Sequence, residues 1–253
     1  MVLGLAAVAI GFMALPFAGL LGRTPWGNLA NLLADPFVAE ALRLSVLTSL
    51  AAMAMSLLLG VPLAWVLARV PFPGRAVVRG IILLPMVLPP VVGGAALLFA
   101  LGRRGLVGQW LDERFGILLP FSTWGVIVAV TFIAMPFLVI TVEAGLRSAD
   151  LRFEEAAATL GASRLTVLRR VTLPMAWPSI AAGAVLSWAR GLGEFGASIT
   201  FAGNLKGRTQ TMPLAVFQAL ESDRDAAVAI SLVMVAVSLA VLVALRERWF
   251  RVA

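Results

Sequence analysis

Three side chains that carry much of protein chemistry are missing from this chain, which has no cysteine, no histidine and no tyrosine. The absence of cysteine excludes disulfides and thiolate nucleophiles, and the absence of histidine excludes imidazole as a metal ligand or a general base. Charge is scarce too, because 13% of the residues are Asp, Glu, Lys or Arg, about half the share in soluble proteins. We therefore predict no cofactor, no metal site and no catalytic residue.

Long runs without any charged residue fill much of the chain, which is 61% hydrophobic. The runs cover residues 1–22, 44–68, 80–102, 115–142, 171–189 and 226–245. Each has about the length of an apolar helix that crosses a ~30 Å hydrocarbon core. None alternates between polar and apolar residues as the strands of a membrane barrel do. The sequence therefore predicts an all-α membrane protein with six transmembrane helices, forming a single domain over residues 1–253.

The distribution of arginine gives an orientation. With the N-terminus in the cytoplasm, the inner connections and the C-terminal tail, which holds Arg246, Arg248 and Arg251, carry more Lys and Arg than the outer connections. The positive-inside rule then places both termini in the cytoplasm. The first run lacks a basic segment before it, so we expect a retained helix rather than a cleaved signal peptide.

A charged amphipathic stretch, residues 154–174, lies between the fourth and fifth runs, on the predicted cytoplasmic side. One helical face carries small and apolar side chains at i, i+3, i+4 and i+7: Phe153, Ala156, Ala157 and Leu160. Gly161 permits a left-handed turn that ends this helix, and Ser163 can cap a second one. The pattern alone favours a docking surface for another protein and an amphipathic helix on lipid headgroups about equally.

The spacing within this stretch is more specific than its periodicity. Glu155-Ala156-Ala157, three residues, Gly161, nine residues and Val171-Thr172-Leu173-Pro174 resemble the EAA loop of ABC importer permeases, with Val171 in place of isoleucine. In that family the loop, here about 148–174, is the coupling helix that sits in a groove of the ATPase subunit. The resemblance implies these ATPase-coupling residues: Glu154, Glu155, Ala156, Ala157, Gly161, Ala162, Ser163 and Pro174.

A second segment, residues 189–217, is similar to the corresponding part of molybdate permeases, and sulfate permeases carry a related segment. The resemblance implies a type I ABC importer permease for molybdate or tungstate, with a sulfate or thiosulfate importer as the alternative. The candidate pathway and gate residues are Arg190, Gly193, Glu194, Gly196, Ser198, Thr200 and Asn204. Hydroxyl and amide groups at Thr209, Gln210 and Thr211 extend this set, because such groups bind an oxyanion without the trap that a fixed cation would form.

Arg190 and Glu194 are the one pair of opposite charges inside a predicted span. Their spacing of four puts them on one helical face, and pairing lowers the cost of burying both. Counted along a straight helix, both residues lie towards the outer end of the predicted span. We expect a structural ion pair beside the gate rather than a substrate ligand; separate snorkelling of each side chain is the alternative.

The resemblance also implies partners and a location. We expect a second copy of the chain, two cytoplasmic ATP-binding cassette subunits, an extracytoplasmic oxyanion-binding protein and the lipid of a prokaryotic inner membrane, and no nucleic acid. The chain itself lacks a phosphate-binding loop, because its one lysine, Lys206, is followed by glycine rather than Ser or Thr. A secondary transporter would usually carry more intramembrane ionisable groups, and an intramembrane enzyme would need a nucleophile with a base.

Overall fold

The computed structural model describes residues 1–249, and these residues form helices and connecting turns without any strand. The helices are α1 Val2–Gly22, α2 Leu29–Leu33, α3 Pro36–Arg69, α4 Arg75–Val87, α5 Pro90–Leu101, α6 Gly108–Phe115, α7 Thr123–Ser148, α8 Arg152–Thr159, α9 Arg164–Val167, α10 Leu173–Leu192, α11 Gly196–Ala202, α12 Met212–Ser222 and α13 Arg224–Trp249. A π-helical turn, Leu168–Thr172, joins α9 to α10. Arg251 of the predicted cytoplasmic tail lies outside the described residues.

Five helical segments of the described chain are long and apolar enough to cross a membrane. They are Val2–Gly22, Pro36–Arg69, Thr123–Ser148, Arg164–Leu192 and Arg224–Val241. The predicted third span, residues 80–102, is instead divided into α4 and α5. Leu88 and Pro89 are extended, with ψ of 139° and 131°, because a proline disfavours the helical conformation of the residue before it. Pro90 then starts α5, where its missing N–H costs no hydrogen bond.

The chain from Ser45 to Thr209 forms one compact unit. Its centre is α7, whose inward residues include Val126, Val130, Leu138 and Val142. α10 lies along α7, while α5 and α11 pack against another part of it. Burial on several sides explains why α7 reads as an uninterrupted apolar run rather than as an amphipathic helix.

Residues 1–44 and 210–249 form a second compact unit. Its core joins α12, α13 and the first turns of α3 through small and apolar side chains, among them Ala41, Met212, Ala215 and Ile230. α1 is apolar along its length and has no buried residue. An exposed apolar helix of 21 residues is what a lipid-facing span requires.

Candidate functional site

The connection between α7 and α10 has the local geometry that its sequence predicts. Gly161 follows α8 with φ of +84°, which is the left-handed conformation that glycine adopts without a steric cost. The Ser163 hydroxyl then caps α9 by accepting the N–H of Thr166 at 3.2 Å. The helix, the glycine turn and the second helix are therefore confirmed as structural elements.

The predicted docking face of α8 is exposed in the described chain. Phe153 is 60% exposed and Leu160 is 89% exposed, while Ala156 lies open between them and Ala157 is half-buried. None of the eight residues of α8 is buried. An apolar face with two large exposed side chains on a polar helix is typical of a surface that binds another protein or a membrane interface.

The two neighbouring glutamates of α8 have different surroundings. Glu155 is exposed, whereas Glu154 Oε1 accepts a hydrogen bond from Arg69 Nη2 at 2.9 Å. At the start of α8, Arg152 Nη2 lies 2.6 Å from Asp150 Oδ2, two residues earlier. Because Arg152 hydrogen-bonds that carboxylate, the pKa of Asp150 is held below its ordinary value. The ion pair of Asp150 with Arg152 therefore persists at every pH at which an aspartate is normally ionised.

Pro174 lies inside a continuous helical path rather than at a break. The path runs from Arg164 to Leu192, and the π-helical turn Leu168–Thr172 comes directly before the proline. Pro174 has no N–H to donate and its ring crowds the carbonyl of the residue four positions earlier. A π-helical turn widens the backbone at that place, so the helix can continue into α10. Ala162 is half-buried in the turn after Gly161.

Arg190 and Glu194 form the expected ion pair, but not on one helix. Arg190 Nη2 lies 2.7 Å from Glu194 Oε2, although α10 ends at Leu192 and Glu194 lies in the break before α11. The prediction of a shared helical face is wrong here, because α10 ends two residues before Glu194. The other carboxylate oxygen accepts the N–H of Ala197 at 2.8 Å. Glu194, 2% exposed, thus joins the end of α10 to the first turn of α11.

The remaining candidate pathway residues differ in their exposure and in their hydrogen bonds. Ser198 is buried in α11, and Gly193 is exposed at the end of α10. The Thr200 hydroxyl donates to the carbonyl of Gly196 at 2.8 Å, so it satisfies backbone. Asn204 is half-buried just after α11.

Of the additional candidates, Thr209 has a hydroxyl that bonds to the backbone of a turn. Thr209 accepts the N–H of Leu205 at 2.9 Å and donates to the carbonyl of Gly203 at 3.2 Å, closing the loop after α11. In the other unit, Thr211 is buried at the start of α12, and Gln210 donates a hydrogen bond to Gln218. These contacts support the backbone-satisfying role for Thr209.

The backbone of α11 lies against that of α5, which sequence reasoning missed. A Cβ on Gly94 would lie 2.7 Å from the carbonyl oxygen of Ala197, and a Cβ on Gly196 would lie 2.9 Å from Pro90 Cβ. Reciprocal glycines let two helices approach closely. The glycine pair Gly93-Gly94 in an apolar run was the signal for this contact, but such pairs also occur without one.

The structure also contains a second charged cluster, which the sequence pattern does not predict. Glu143, in the last turns of α7, accepts hydrogen bonds from Arg79 and from Arg147 Nε, the latter at 3.0 Å, and Arg75 Nη2 lies 4.0 Å away. Arg147 Nη2 also donates to the carbonyl of Leu67 in α3 at 3.4 Å. In the sequence these arginines indicate only the orientation of the chain in the membrane. The sequence signal for the cluster is a spacing of four residues, between Arg75 and Arg79 and between Glu143 and Arg147, which places each pair on one helical face.

Comparison with solved structures identifies the class of protein. Over 100% of this chain and 93% of the other, the fold matches a chain of a bacterial alginate ABC transporter in complex with a pentasaccharide-bound periplasmic protein, with a TM-score of 0.77 and 21% identity. The protein therefore has the fold of a type I ABC importer permease. Residues 57–251 match the family described as "Binding-protein-dependent transport system inner membrane component", and the chain belongs to that family.

Relatives with assigned names cover most of the chain. A molybdenum transport system permease protein, ModB, of Mycobacterium tuberculosis is 47% identical over 96% of this chain and 92% of its own length. A sulfate transport system permease protein, CysT, of Salmonella typhimurium is 37% identical over 91% of this chain and 84% of its own length. The predicted class of ABC importer permease is confirmed, and the secondary-transporter alternative is wrong.

Proposed function

We propose that this protein is the membrane subunit of an ATP-driven importer for molybdate, with tungstate as a second substrate. The observation that carries the proposal is the 47% identity, over nearly the whole chain, to a protein named for molybdenum transport. The lower identity of 37% to a sulfate permease makes sulfate or thiosulfate the second candidate. ATP hydrolysis belongs to a separate subunit, since this chain has no phosphate-binding loop.

The exposed face of α8 is the proposed docking surface for that ATPase. Phe153 and Leu160 supply apolar area, Ala156 allows close approach, and Glu155 adds an exposed charge. On this proposal α8 and both termini lie in the cytoplasm, and two copies of the chain surround one pathway. Two ATPase subunits move the two α8 helices, and the attached spans open the pathway inward or outward. An extracytoplasmic binding protein delivers the anion.

The segment around Glu194 is the proposed gate region. Because Arg190 is paired with Glu194, neither charge is left to attract or repel a passing dianion. Buried hydroxyls such as that of Ser198 are available to an anion that has lost part of its water.

Uptake of labelled molybdate tests the proposal directly. The chain is reconstituted in proteoliposomes with an ATPase subunit and an oxyanion-binding protein that assemble with it, and uptake is measured with and without a tenfold excess of tungstate or sulfate. We expect ATP-dependent uptake that tungstate reduces and sulfate leaves nearly unchanged. Uptake of labelled sulfate with no uptake of molybdate would replace the first candidate by the second, and ATP-independent uptake would contradict the class of mechanism.

A further inference from the structure

Five charged side chains, Arg69, Arg79, Glu143, Arg147 and Glu154, form what we call the helix-end network. It lies within the unit 45–209, at or near the ends of α3, α4, α7 and α8. Arg69 in α3 pairs with Glu154 in α8, and Arg79 in α4 pairs with Glu143 in α7. Each of these pairs joins helices that are far apart in sequence.

α8 has little else to hold it to the spanning helices. None of its residues is buried, and it packs mainly on α9 and the π-helical turn that follow it in the chain. The glycine turn at Gly161 lies between α8 and those elements. A force applied to α8 could therefore bend the turn without moving a span, unless a second attachment exists. The Arg69–Glu154 pair is such an attachment, across 85 residues of sequence.

The placement of this pair favours a persistent contact. Arg69 is in the last turn of α3, where the helix dipole stabilises a cation, and Glu154 is in the first turn of α8, where it stabilises an anion. Their side chains are 12% and 19% exposed, so solvent screens the pair less than it screens an open surface pair. In the exposed Arg103–Asp112 pair, by contrast, the arginine side chain is 71% exposed.

The rest of the network extends the attachment to two more helices. Arg147 of α7 donates both to Glu143 and to the carbonyl of Leu67, in the last turn of α3. Glu143 in turn accepts from Arg79 of α4. The ends of α3, α4 and α7 are thus joined by side chains whose carboxylate, Glu143, is almost fully buried.

We propose that Arg69 is a positioning residue for the coupling helix and that, through its ion pair with Glu154, α8 and the end of α3 move as one body. The inference rests on the proposed function, in which an ATPase moves α8. The inference adds one path to this: the force enters the spans through a side-chain contact to α3 as well as through the covalent chain, which joins α8 to α7 on one side and to α10 on the other. Arg69 itself touches neither ATP nor anion.

Coupling in the reconstituted complex gives the first test, as molybdate imported per ATP hydrolysed. We expect Arg69→Gln to retain ATP hydrolysis within twofold and to lower this ratio at least fivefold. Glu154→Gln can also weaken ATPase docking, so the decisive variant is the charge reversal Arg69→Glu with Glu154→Arg, compared with Glu154→Arg alone in complexes whose ATP hydrolysis stays within twofold. The reversal should recover at least half of the ratio. Arg103→Gln removes one arginine from an ion pair away from α8 and should leave the ratio unchanged. A normal ratio in Arg69→Gln, or no recovery in the reversal, would overturn the inference.

A distance measurement gives a second test that does not depend on the transported anion. Because the chain has no cysteine, spin labels can be attached through Ala158→Cys in α8 and Leu58→Cys in α3, both exposed. In complexes in which one of the two copies is labelled, we expect one narrow distance distribution that is the same with and without ATP, and a broader, ATP-dependent one after Arg69→Gln. An ATP-dependent distance with Arg69 intact would overturn the inference. Failure of the ATPase to bind the complex at all would overturn the proposed function, and the inference with it.

Discussion

At the scale of single residues, one backbone angle determines how α8 turns into α9. Gly161 has φ of +84°, and a Cβ built there meets nothing within 4 Å. A substitution therefore costs backbone strain rather than a clash, about 1–2 kcal/mol for a residue with a Cβ. We expect Gly161→Val to reach the membrane in normal amounts yet to lower molybdate import per ATP hydrolysed severalfold, measured in proteoliposomes with the ATPase and binding protein.

The matched control for that variant is Gly116→Val. Gly116 also follows a helix, has φ of +65° and has open space around its Cβ position, but it lies after α6, away from the coupling helices. The same strain there should leave the import ratio unchanged. If both variants lose coupling equally, strain in general and not the position of α8 is responsible.

The two charges at the end of α10 respond differently to neutralisation because their burial differs. The side chain of Glu194 is 1% exposed and that of Arg190 is 29% exposed. Arg190→Met leaves a buried carboxylate without its cation, which costs about 3 kcal/mol. Glu194→Gln should cost less, because its amide oxygen can still accept the N–H of Ala197 and the side chain of Arg190 is only partly buried. We expect membrane yield to fall most for Arg190→Met, measured by fluorescence-detected gel filtration.

The double variant Arg190→Met with Glu194→Met completes this test. It removes both charges, so its yield should exceed that of Arg190→Met alone. Losses that simply add would mean that the two charges do not interact. A Glu194→Gln protein with full yield and a changed preference among anions would place Glu194 among the groups that contact the substrate.

At the scale of elements, the contact between α5 and α11 depends on the absence of two side chains. Gly94→Leu would force a side chain against the Ala197 carbonyl and against Thr200 Cβ, 2.8 Å from the Cβ position. Such overpacking costs about 1–3 kcal/mol. We expect a melting temperature lower by roughly 2–10 °C in detergent and reduced transport. Gly80→Leu in α4, where a Cβ meets nothing within 4 Å, is the control and should melt like the unmodified protein.

The elements that the sequence predicts well are those set by neighbouring residues. Uncharged runs locate the long helices, and Gly161 and Ser163 define the turn after α8 because a positive φ and a cap depend on local geometry. The division of residues 80–102 was not predicted, although Pro89 and Pro90 mark it. A proline in a membrane helix can kink it or end it, and the outcome depends on the helices packed around it.

Contacts between distant residues could not be predicted from one sequence. Arg69 and Glu154 are 85 positions apart, and Arg79 and Glu143 are 64 apart. Nothing in the pattern relates them, since each arginine also fits the general excess of positive charge near the cytoplasmic ends of helices. The pair of Arg190 with Glu194 was predicted because both lie within one turn of chain. The placement of both residues on one helix was not correct, because α10 ends at Leu192.

At the scale of the whole molecule, the candidate gate of the described chain presents no unpaired charge that could distinguish sulfate from molybdate. The cation within the candidate gate, Arg190, is neutralised by Glu194, and the hydroxyls of Thr200 and Thr209 already bond to backbone. Both anions are tetrahedral dianions of similar size. We infer that the binding protein, rather than the permease, sets the choice between them.

Exchange of the binding protein tests whether it, rather than the permease, sets the choice between the two anions. We expect that a sulfate-binding protein, altered in its surface residues only so that it docks on this permease, will give ATP-dependent sulfate import within about tenfold of the molybdate rate. Docking is checked first, by stimulation of ATP hydrolysis, so that a failure to bind is not mistaken for selectivity. Stimulated hydrolysis without any sulfate import would show that the pathway itself rejects sulfate. In that case Ser198, whose hydroxyl is buried in α11, would be the first residue to substitute, with Ser198→Ala compared for the import of both anions.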